Sequence, residues 1–534
     1  MAERRVKTST LAAGLKGFWF QFRKSKRGMA GLFILCIHVI VALMAPFIAP
    51  NDPIRPTWPG YFPAGEAPLA FMMCVPSWYK YLGREVSENM EVIDGYTFAS
   101  EQALQKWNVA ISQPTRVSLS YNPTGGTLND GCIEITYSRQ ANEAAGTSSI
   151  RLSYRFTYPY KAHPQRFWIH ASYLINGTVS PSTSVHVSFS FFREDAEPLA
   201  NYTYRGPTYQ KDSLLVYEYP LITYDFYSPV SPWRHMWTRS TKREIFEKPW
   251  WYRAPEAKIF PTSGNYTFTV DVTFNDQGGA RTQQVKVYLD NLQVLLYGNA
   301  YGLLGTDADP AAPRDLFSSL IYGSRVSIFV GLLVALISVT IGLTIGLTAG
   351  YIGGVVDEGL MRFADLLMVL PTLPLLIVLA YILSPSIWNI VMVLSFLGWM
   401  GFSRNIRSVT LSLRERSFVE AAKVVGAGRF YIIRKHIFPN VVPLVYLALS
   451  LSVPGAIISE ASLSFLGLFD PNVMSWGRMI NEFNGSGVAV TKGFSDYWFW
   501  VIPPGIAISS LAISFILIGY ALDEILNPKL RMRR

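Results

Sequence analysis

Apolar residues are concentrated in two parts of this 534-residue chain, and the region between them is polar. Residues 29–49 and 321–521 are rich in Leu, Ile, Val, Gly and Ala, whereas residues 51–300 are rich in Tyr, Thr, Ser and Asn. A single globular core would not divide its composition in this way. The pattern therefore predicts a membrane protein that carries one water-soluble domain.

Six apolar segments each approach the ~20 residues that an α-helix needs to cross a bilayer. They cover residues 29–49, 321–350, 361–383, 386–403, 441–459 and 500–521. The Pro and Gly residues in several of them are tolerated inside a helix bundle. The sequence therefore predicts an all-α bundle of six transmembrane helices, the first at 29–49 and the other five within residues 304–534.

The net charge of +10 is concentrated beside the apolar segments. Basic residues cluster in the N-terminal segment 1–28, in the loop 404–440 and in the tail after residue 528. Cytoplasmic loops of membrane proteins carry such an excess of Lys and Arg. We therefore expect a plasma or inner membrane protein with both termini and loop 404–440 in the cytoplasm. Residues 51–303 then lie outside, and nucleic acid is not needed to explain the charge.

The polar region 51–303 shows the period-two alternation of β-strands. Alternation is clear at residues 117–121, 133–137, 150–158, 185–191, 266–274 and 285–291, with turn signals between them. Many short strands predict an all-β insert of sandwich or jelly-roll type. Glycosylation sequons at Asn176, Asn201 and Asn265 fit an exterior domain.

The three cysteines fall in different environments. Cys36 lies in the first apolar segment, where packing explains it. Cys74 and Cys132 both fall in the insert, where an extracytoplasmic disulfide between them is one reading and two separate thiols the other. His/Cys/Asp/Glu spacing that would indicate a metal site does not occur.

The loop between the fourth and fifth apolar segments is patterned as a basic helix–turn–helix. Glu420, Ala421 and Ala422 open it, Gly426 lies at the turn and Pro439 closes it. Small alanines allow another backbone to approach, and a glycine at the corner permits φ > 0. The residues alone favour protein docking and contact with lipid headgroups equally, the latter because of basic residues such as Arg429.

The spacing of this loop resembles the EAA loop of ABC importer permeases. Glu420-Ala-Ala, three residues, Gly426, and Pro439 match that motif, with His436 and Phe438 at its Ile and Leu positions. The resemblance implies that the loop is the coupling helix, seated in a cleft of a separate ATPase subunit. Arg414, Arg416 and Arg429 would then contribute charge pairing.

Further segments resemble the C-type subunit of the dipeptide/oligopeptide (nickel) permease family. They are Pro46-Phe-Ile-Ala-Pro-Asn-Asp-Pro, Leu304-Gly-Thr-Asp, Tyr322-Gly-Ser-Arg, Gly350-Tyr-Ile-Gly-Gly, Glu460-Ala-Ser-Leu-Ser-Phe-Leu-Gly and Ser475-Trp-Gly. The resemblance implies a type I ABC importer permease that moves di- or oligopeptides. It also implies three kinds of partner: a second homologous permease, two ABC ATPase subunits and an extracellular solute-binding protein. ATP and Mg would be bound by the ATPases, and this chain would hold no cofactor.

The external loop 460–499 is the candidate mouth of the translocation path. Trp476 and Gly477 are its candidate residues, since the family resemblance covers them. Trp498 and Trp500 have an alternative explanation, because Trp is enriched in the aromatic belt at membrane interfaces.

Rival functions remain open for parts of the chain. The sequence contains no Gly-x-x-x-x-Gly-Lys-Ser/Thr phosphate loop, so we expect a transporter subunit and not an ATP-hydrolysing enzyme. Few ionisable groups occur in the spans, and Glu460 is expected at an interface, which argues against an ion-coupled transporter. The insert is either an enzyme using acids among Glu134, Asp195, Glu197 and Asp271, or, as we prefer, a binding module. Oligosaccharides are the alternative cargo.

Overall fold

The computed structural model describes residues 18–49, 51–54, 70–93, 98, 100–127, 131–180, 182–193, 222–239, 256, 259–309, 313–491 and 493–526. Its contacts divide the chain into two compact units, residues 1–55 with 314–534, and residues 56–313. Asp195, Glu197, Asn201 and most of the N-terminal and C-terminal basic clusters lie outside the described residues.

The first unit is helical. Its helices are α1 (Lys26–Ile48), α2 (Leu316–Ile352), α3 (Gly354–Val369), α4 (Thr372–Ile382), α5 (Ile387–Gly398), α6 (Met400–Arg414), α7 (Ser417–Val424), α8 (Arg429–Ile432), α9 (Phe438–Phe465), α10 (Trp476–Gly485) and α11 (Trp498–Leu526). A single π-helical turn, Ile433–Ile437, joins α8 to α9. Asp315 caps α2, since its carboxylate accepts the N–H groups of Phe317 and Ser318.

Among the described residues, five helical segments are long and apolar enough to cross a membrane. They are Lys26–Ile48, Leu316–Ile352, Ile387–Arg414, Arg429–Phe465 and Phe494–Ile525. The pair α3 and α4 would give a sixth span, but the two helices are bent by 93°. Leu370 between them has an extended backbone with ψ 133° because it precedes Pro371, which disfavours the helical conformation. The predicted span 361–383 is therefore two helices.

Glycines allow the long helices to approach closely. A Cβ on Gly342, Gly346 or Gly350 of α2 would lie 2.8, 2.6 and 2.8 Å from backbone oxygens of α6 or of Trp399 just before it. On α1, Gly31 would meet the Ser514 carbonyl of α11 at 2.6 Å. Small residues at contact positions are typical of membrane helix bundles.

The second unit is a β-sandwich. Its strands are β1 (Met90–Glu91), β2 (Asn108–Ile111), β3 (Val117–Asn122), β4 (Cys132–Arg139), β5 (Gly146–Tyr158), β6 (Arg166–Gly177), β7 (Thr183–Arg193), β8 (Ile222–Phe226), β9 (Val230–Arg239), β10 (Gly264–Asp276) and β11 (Gln283–Tyr297). One sheet has the order β3-β4-β11-β6-β9, with β1 also paired to β11, and the other has the order β2-β5-β10-β7-β8. Among the described residues, adjacent strands in both sheets pair antiparallel.

Side chains from both sheets form one apolar core. Val287 and Ile135 of the first sheet and Val270 and Ile150 of the second are all fully buried in the same cluster. Alternation along strands such as β5 and β10 places every second residue in this core. A sandwich is the fold that the alternation predicts.

The structure does not join Cys74 to Cys132. The Cys74 thiol donates to the carbonyls of Phe71 and Gly298, at 3.1 and 3.4 Å. Cys132 lies opposite Asn122 and precedes Ile133, which pairs with Leu289. Gly298 directly follows β11 and is nine residues from Leu289, which is roughly 30 Å of extended strand at ~3.3 Å per residue, shortened by the irregularity between Asp290 and Gln293. Because a disulfide requires Cα atoms within ~7 Å, the bridged alternative is wrong in this structure.

Candidate coupling and transport sites

The predicted helix–turn–helix is present, and its corner is a hydrogen-bonded helix end. α7 ends in a Schellman motif, in which Ala427 N–H donates to the Ala422 carbonyl at 3.0 Å and Gly426 N–H to the Lys423 carbonyl at 2.9 Å. Gly426 has φ +86°, and a Cβ there would meet no atom within 4 Å. The glycine is therefore required by the left-handed backbone and not by lack of space.

Three buried side chains fix this loop to the helix bundle. Val419 of α7 and Ile432 and Ile437 after the turn are at most 1% exposed. They pack in one cluster with Leu347 of α2 and Ile406 of α6. The loop is thus a folded continuation of the bundle, since its inward face shares the core of the long helices.

The outward face of the loop exposes large apolar side chains. Val424 and Val425 are each 87% exposed and Phe430 is 75% exposed. Phe418 and Tyr431 are 41% and 54% exposed. We call these five residues the docking patch. Phe430, Ile433 and Ile437 follow one another at spacings of three and four, but only the two isoleucines pack in or against the core cluster of the bundle.

Most of the predicted coupling residues lie at the surface of the loop. Glu420, Ala421, Gly426, Arg416, Arg429 and Pro439 are exposed, whereas Ala422 and Arg414 are half-buried. Arg414 contacts the end of α2, because its Nη1 donates to the Tyr351 carbonyl at 3.3 Å. Arg414 therefore fixes the start of the loop to the end of α2.

Ion pairs connect the helix before the loop to α3. Arg407 of α6 bonds Asp357 with both Nε and Nη2, the latter at 2.6 Å from Oδ2. Arg404 of α6 pairs with Asp365. Bidentate pairing fixes the relative orientation of two helices more firmly than a single contact does.

The candidate mouth residues are packing residues in this structure. Trp476 is 1% exposed, and its indole N–H donates to the Leu320 carbonyl at 2.8 Å. A Cβ on Gly477 would lie 2.5 Å from the Ala461 carbonyl oxygen. These two residues seat α10 against α2 and α9.

Arg478 organises the loop that precedes α10. Its Nη1 donates to the carbonyls of Pro471 and Val473, each at 2.9 Å. Its Nε donates to Glu482 Oε1 at 2.8 Å, and Arg314 Nη1 reaches the same oxygen at 2.9 Å. Sequence reasoning missed this group, because Arg314 is distant in the chain from the other two residues.

The two outward faces of the sandwich differ in chemistry. The face of the β5–β10–β7 sheet carries Thr, Ser and the half-buried pair Arg151–Asp271, with Nε and Oδ1 2.6 Å apart. The face of the other sheet carries aromatic rings, among them Trp233 and Tyr288 with centroids 6.5 Å apart. Glu134 beside them bonds Lys286 Nζ at 2.6 Å. The Lys286 and Asn122 hydrogen bonds outweigh desolvation and lower the pKa of Glu134.

Two family models match the first unit. The model described as "Binding-protein-dependent transport system inner membrane component" matches residues 342–532. The model described as "N-terminal TM domain of oligopeptide transport permease C" matches residues 15–63.

Curated relatives each match about two fifths of the chain. The dipeptide transport system permease protein DppC of Bacillus subtilis is 37% identical over 219 residues, 41% of this chain and 67% of the relative. The oligopeptide transport system permease protein OppC of Haemophilus influenzae is 39% identical over 230 residues, 43% of this chain and 71% of the relative. The H. influenzae DppC protein is 34% identical, covering 44% of this chain and 76% of the relative.

The chain therefore belongs to the family of binding-protein-dependent transport system inner membrane components. It is a multi-pass membrane permease of an ABC importer, as the EAA-type spacing predicts. Membership also implies a solute-binding protein and an ATPase as partners. The family assignment from the sequence is confirmed.

Proposed function

We propose that this chain is one half of the channel of an ATP-driven importer of di- and oligopeptides. A second homologous permease would complete the channel, and two ATPase subunits would bind and hydrolyse ATP. The names of the relatives support peptide as the cargo. The insert would lie outside the membrane and both termini inside.

The observation that carries the coupling role is the exposed docking patch around Gly426. Five large apolar side chains exposed together on a rigid corner are costly in water unless another protein covers them. Arg416, Arg429 and Glu420 surround the patch with charge that can pair with a partner at the rim. Closure of the ATPases would push this corner and, through α9, switch access between the two sides of the membrane.

A substitution at the corner tests this role. Gly426→Asp should leave the permease in the membrane but reduce its assembly with the ATPases, measured by co-purification and by solute-stimulated ATP hydrolysis. Unchanged stimulated hydrolysis would exclude the docking role. Cysteine labelling that places residue 426 on the outer surface of intact cells would exclude the proposed topology.

For the insert we propose a binding module that receives the solute-binding protein. The aromatic and charged face of the β3-β4-β11-β6-β9 sheet supports this, since Tyr and Trp are enriched at interfaces. The enzyme alternative loses support, because Glu134 and Asp271 each form an ion pair with a basic side chain.

The two roles of the insert separate in one experiment on the complete transporter. Trp233→Ala with Tyr288→Ala should weaken capture of the solute-binding protein, whereas Thr267→Ala on the other face should not. Hydrolysis of peptides or glycans by the purified transporter, lost in Glu134→Gln, would instead support the enzyme.

A further inference from the structure

One buried carboxylate in the first unit lacks a basic partner among the described residues. Glu460 of α9 is 2% exposed, although the sequence suggested an interfacial position. Its Oε1 accepts the Ser464 hydroxyl at 2.7 Å. Its Oε2 has no hydrogen-bond partner in the part of the chain that the structure describes. One carboxylate oxygen is therefore left without compensation.

Glu460 lines a small cavity. The cavity has a volume of about 10 Å³, enough for a single water molecule or an ion of that size. Apolar side chains of α2 and α5, such as Val330 and Ile390, form one wall. Ser464, Asp470 and Ser475 form the polar wall beside Glu460.

A second acid in the same unit, Glu482, shows how a carboxylate away from water is ordinarily compensated. Glu482 of α10 receives two guanidinium groups, from Arg314 at 2.9 Å and from Arg478 at 2.8 Å. Burying a carboxylate without such a partner costs several kcal/mol, so an intramembrane acid of this kind indicates a functional site. Glu460 is buried more deeply than Glu482 but receives only hydroxyl groups.

The surrounding charges do not balance Glu460. Asp470 is the other ionisable residue in the cavity wall, and its Oδ2 accepts the Ile387 N–H at the start of α5, at 3.2 Å. The guanidinium of Arg478 is directed to Glu482 and to two carbonyls. The N-terminus of α10, capped by Ser475, offers about half a positive charge beside the part of the cavity that Ser475 lines. The cavity therefore has a net negative character at Oε2.

We propose that this cavity binds one small monovalent cation at Glu460 Oε2, beside the hydroxyl oxygens of Ser464 and Ser475. A sodium ion and a hydrated proton share this chemistry, because each brings one positive charge in the volume of about one water. An ammonium group on a peptide or lysine is attached to a chain that the cavity cannot admit. Ca²⁺ needs six to eight oxygen ligands, more than this wall supplies.

The cation would hold three elements together at this end of the bundle. Glu460 belongs to α9, Ser475 begins α10, and Asp470 caps α5 through Ile387. Binding would stabilise the arrangement in which the loop 466–475 closes on α9. Import would then depend on the cation independently of the cargo.

The test uses the complete transporter, with its partner subunits, in lipid nanodiscs. Its melting temperature is measured against Na⁺, with N-methyl-D-glucamine keeping the ionic strength constant, and separately against pH. We expect Na⁺ to raise the melting temperature by roughly 2–5 °C per tenfold increase above the dissociation constant. Glu460→Gln keeps the acceptor for Ser464 and should abolish the response. The readout does not depend on the proposed cargo.

Glu482→Gln is the matched control, because it removes the arginine-paired carboxylate. It should lower the melting temperature but retain the cation response. A response to pH and not to Na⁺, lost in Glu460→Gln, would identify the cation as a proton.

A direct measurement of cation binding to the wild-type transporter tests the site even if Glu460→Gln fails to fold. Saturable ²²Na⁺ binding to the wild-type transporter, or one proton taken up on acidification, supports the site. Absence of both would overturn it, as would equal responses of the wild type and Glu460→Gln. The helix N-terminus and the two hydroxyls would then be sufficient for the carboxylate.

Discussion

The segments before and after α9 both contain large apolar side chains, but the docking patch before α9 is exposed, whereas the apolar face of α10 after it is buried. Before α9, the docking patch leaves Val424, Val425 and Phe430 exposed. After α9, Trp476 and Met479 of α10 are at most 1% exposed. The chain itself covers Trp476 and Met479, whereas the docking patch stays exposed, and we propose that an ATPase subunit covers it. The two segments therefore predict different consequences of substitution.

The glycines of the two segments differ in backbone conformation and in the space around them. Gly426 has a left-handed backbone and open space around it, whereas Gly477 is in a helix with the Ala461 carbonyl 2.5 Å from a hypothetical Cβ. The first glycine shapes an exposed corner, and the second allows two helices to touch. Substitutions should therefore affect partner binding at one end and folding at the other.

The largest effect is expected at Arg478. Arg478→Met removes a buried partner of Glu482 and the donor that holds Pro471 and Val473, so unfolding should become easier by roughly 3 kcal/mol. Thermal unfolding of the purified permease measures this. Arg416→Met, at an exposed position of the other segment, is the control and should leave stability unchanged. Equal melting of the two variants would contradict the comparison.

The next largest effect is expected at Gly477. Gly477→Ala places a methyl group against the α9 backbone, which should cost about 1–3 kcal/mol of stability. Gly485→Ala in the same helix has no atom within 4 Å of the new Cβ and serves as the control. Differential scanning calorimetry distinguishes them, and a Gly477→Ala protein as stable as the control would refute close packing of α10.

At the exposed end, a charge should affect assembly and spare the fold. Val424→Asp should reduce affinity for the ATPase about tenfold or more, equivalent to ~1.4 kcal/mol, because it puts a charge into the centre of the apolar patch. Quantitative co-purification measures the loss. Val490→Asp, at a residue 91% exposed near α10, is the control. Loss of assembly in both variants would mean that the patch has no special role.

The smallest effect is expected for Gly426→Ala. The left-handed backbone should cost the alanine roughly 1 kcal/mol and loosen the corner. Gly428→Ala, two residues away at φ −65° and equally open, should be neutral. Protease sensitivity of the loop measures the difference, and identical cleavage rates would show that the corner tolerates other conformations.

Most of the structural features predicted from the sequence came from patterns of residues close together in the chain. The pattern around Gly426 predicted the helix–turn–helix, because helix ends depend on residues close in the chain. Pro439 was expected to close this element, but the helical run Arg429–Phe465 continues through it. Strands with one solvated face, such as β5 and β10, were evident from alternation. β6 was missed because residues 166–172 are buried on both faces, so its sequence Arg-Phe-Trp-Ile-His-Ala-Ser does not alternate.

Long-range contacts could not be predicted in this way. The partners of Glu482 are Arg478, one turn away, and Arg314, which only the fold brings close. The burial of Glu460 likewise depends on side chains from α2 and α5. No local pattern distinguishes an acid at a span end from one enclosed by two other helices.

The helical run Arg429–Phe465 has 37 residues and joins the corner at Gly426 to the cavity at Glu460. Thirty-one residues separate Arg429 from Glu460, which is about 46 Å at ~1.5 Å per residue. A tilt of only ~5° about one end would displace the other by roughly 4 Å, more than the diameter of a sodium ion. If the corner binds an ATPase subunit as proposed, a small movement there would displace the proposed cation site at the other end of this helical run.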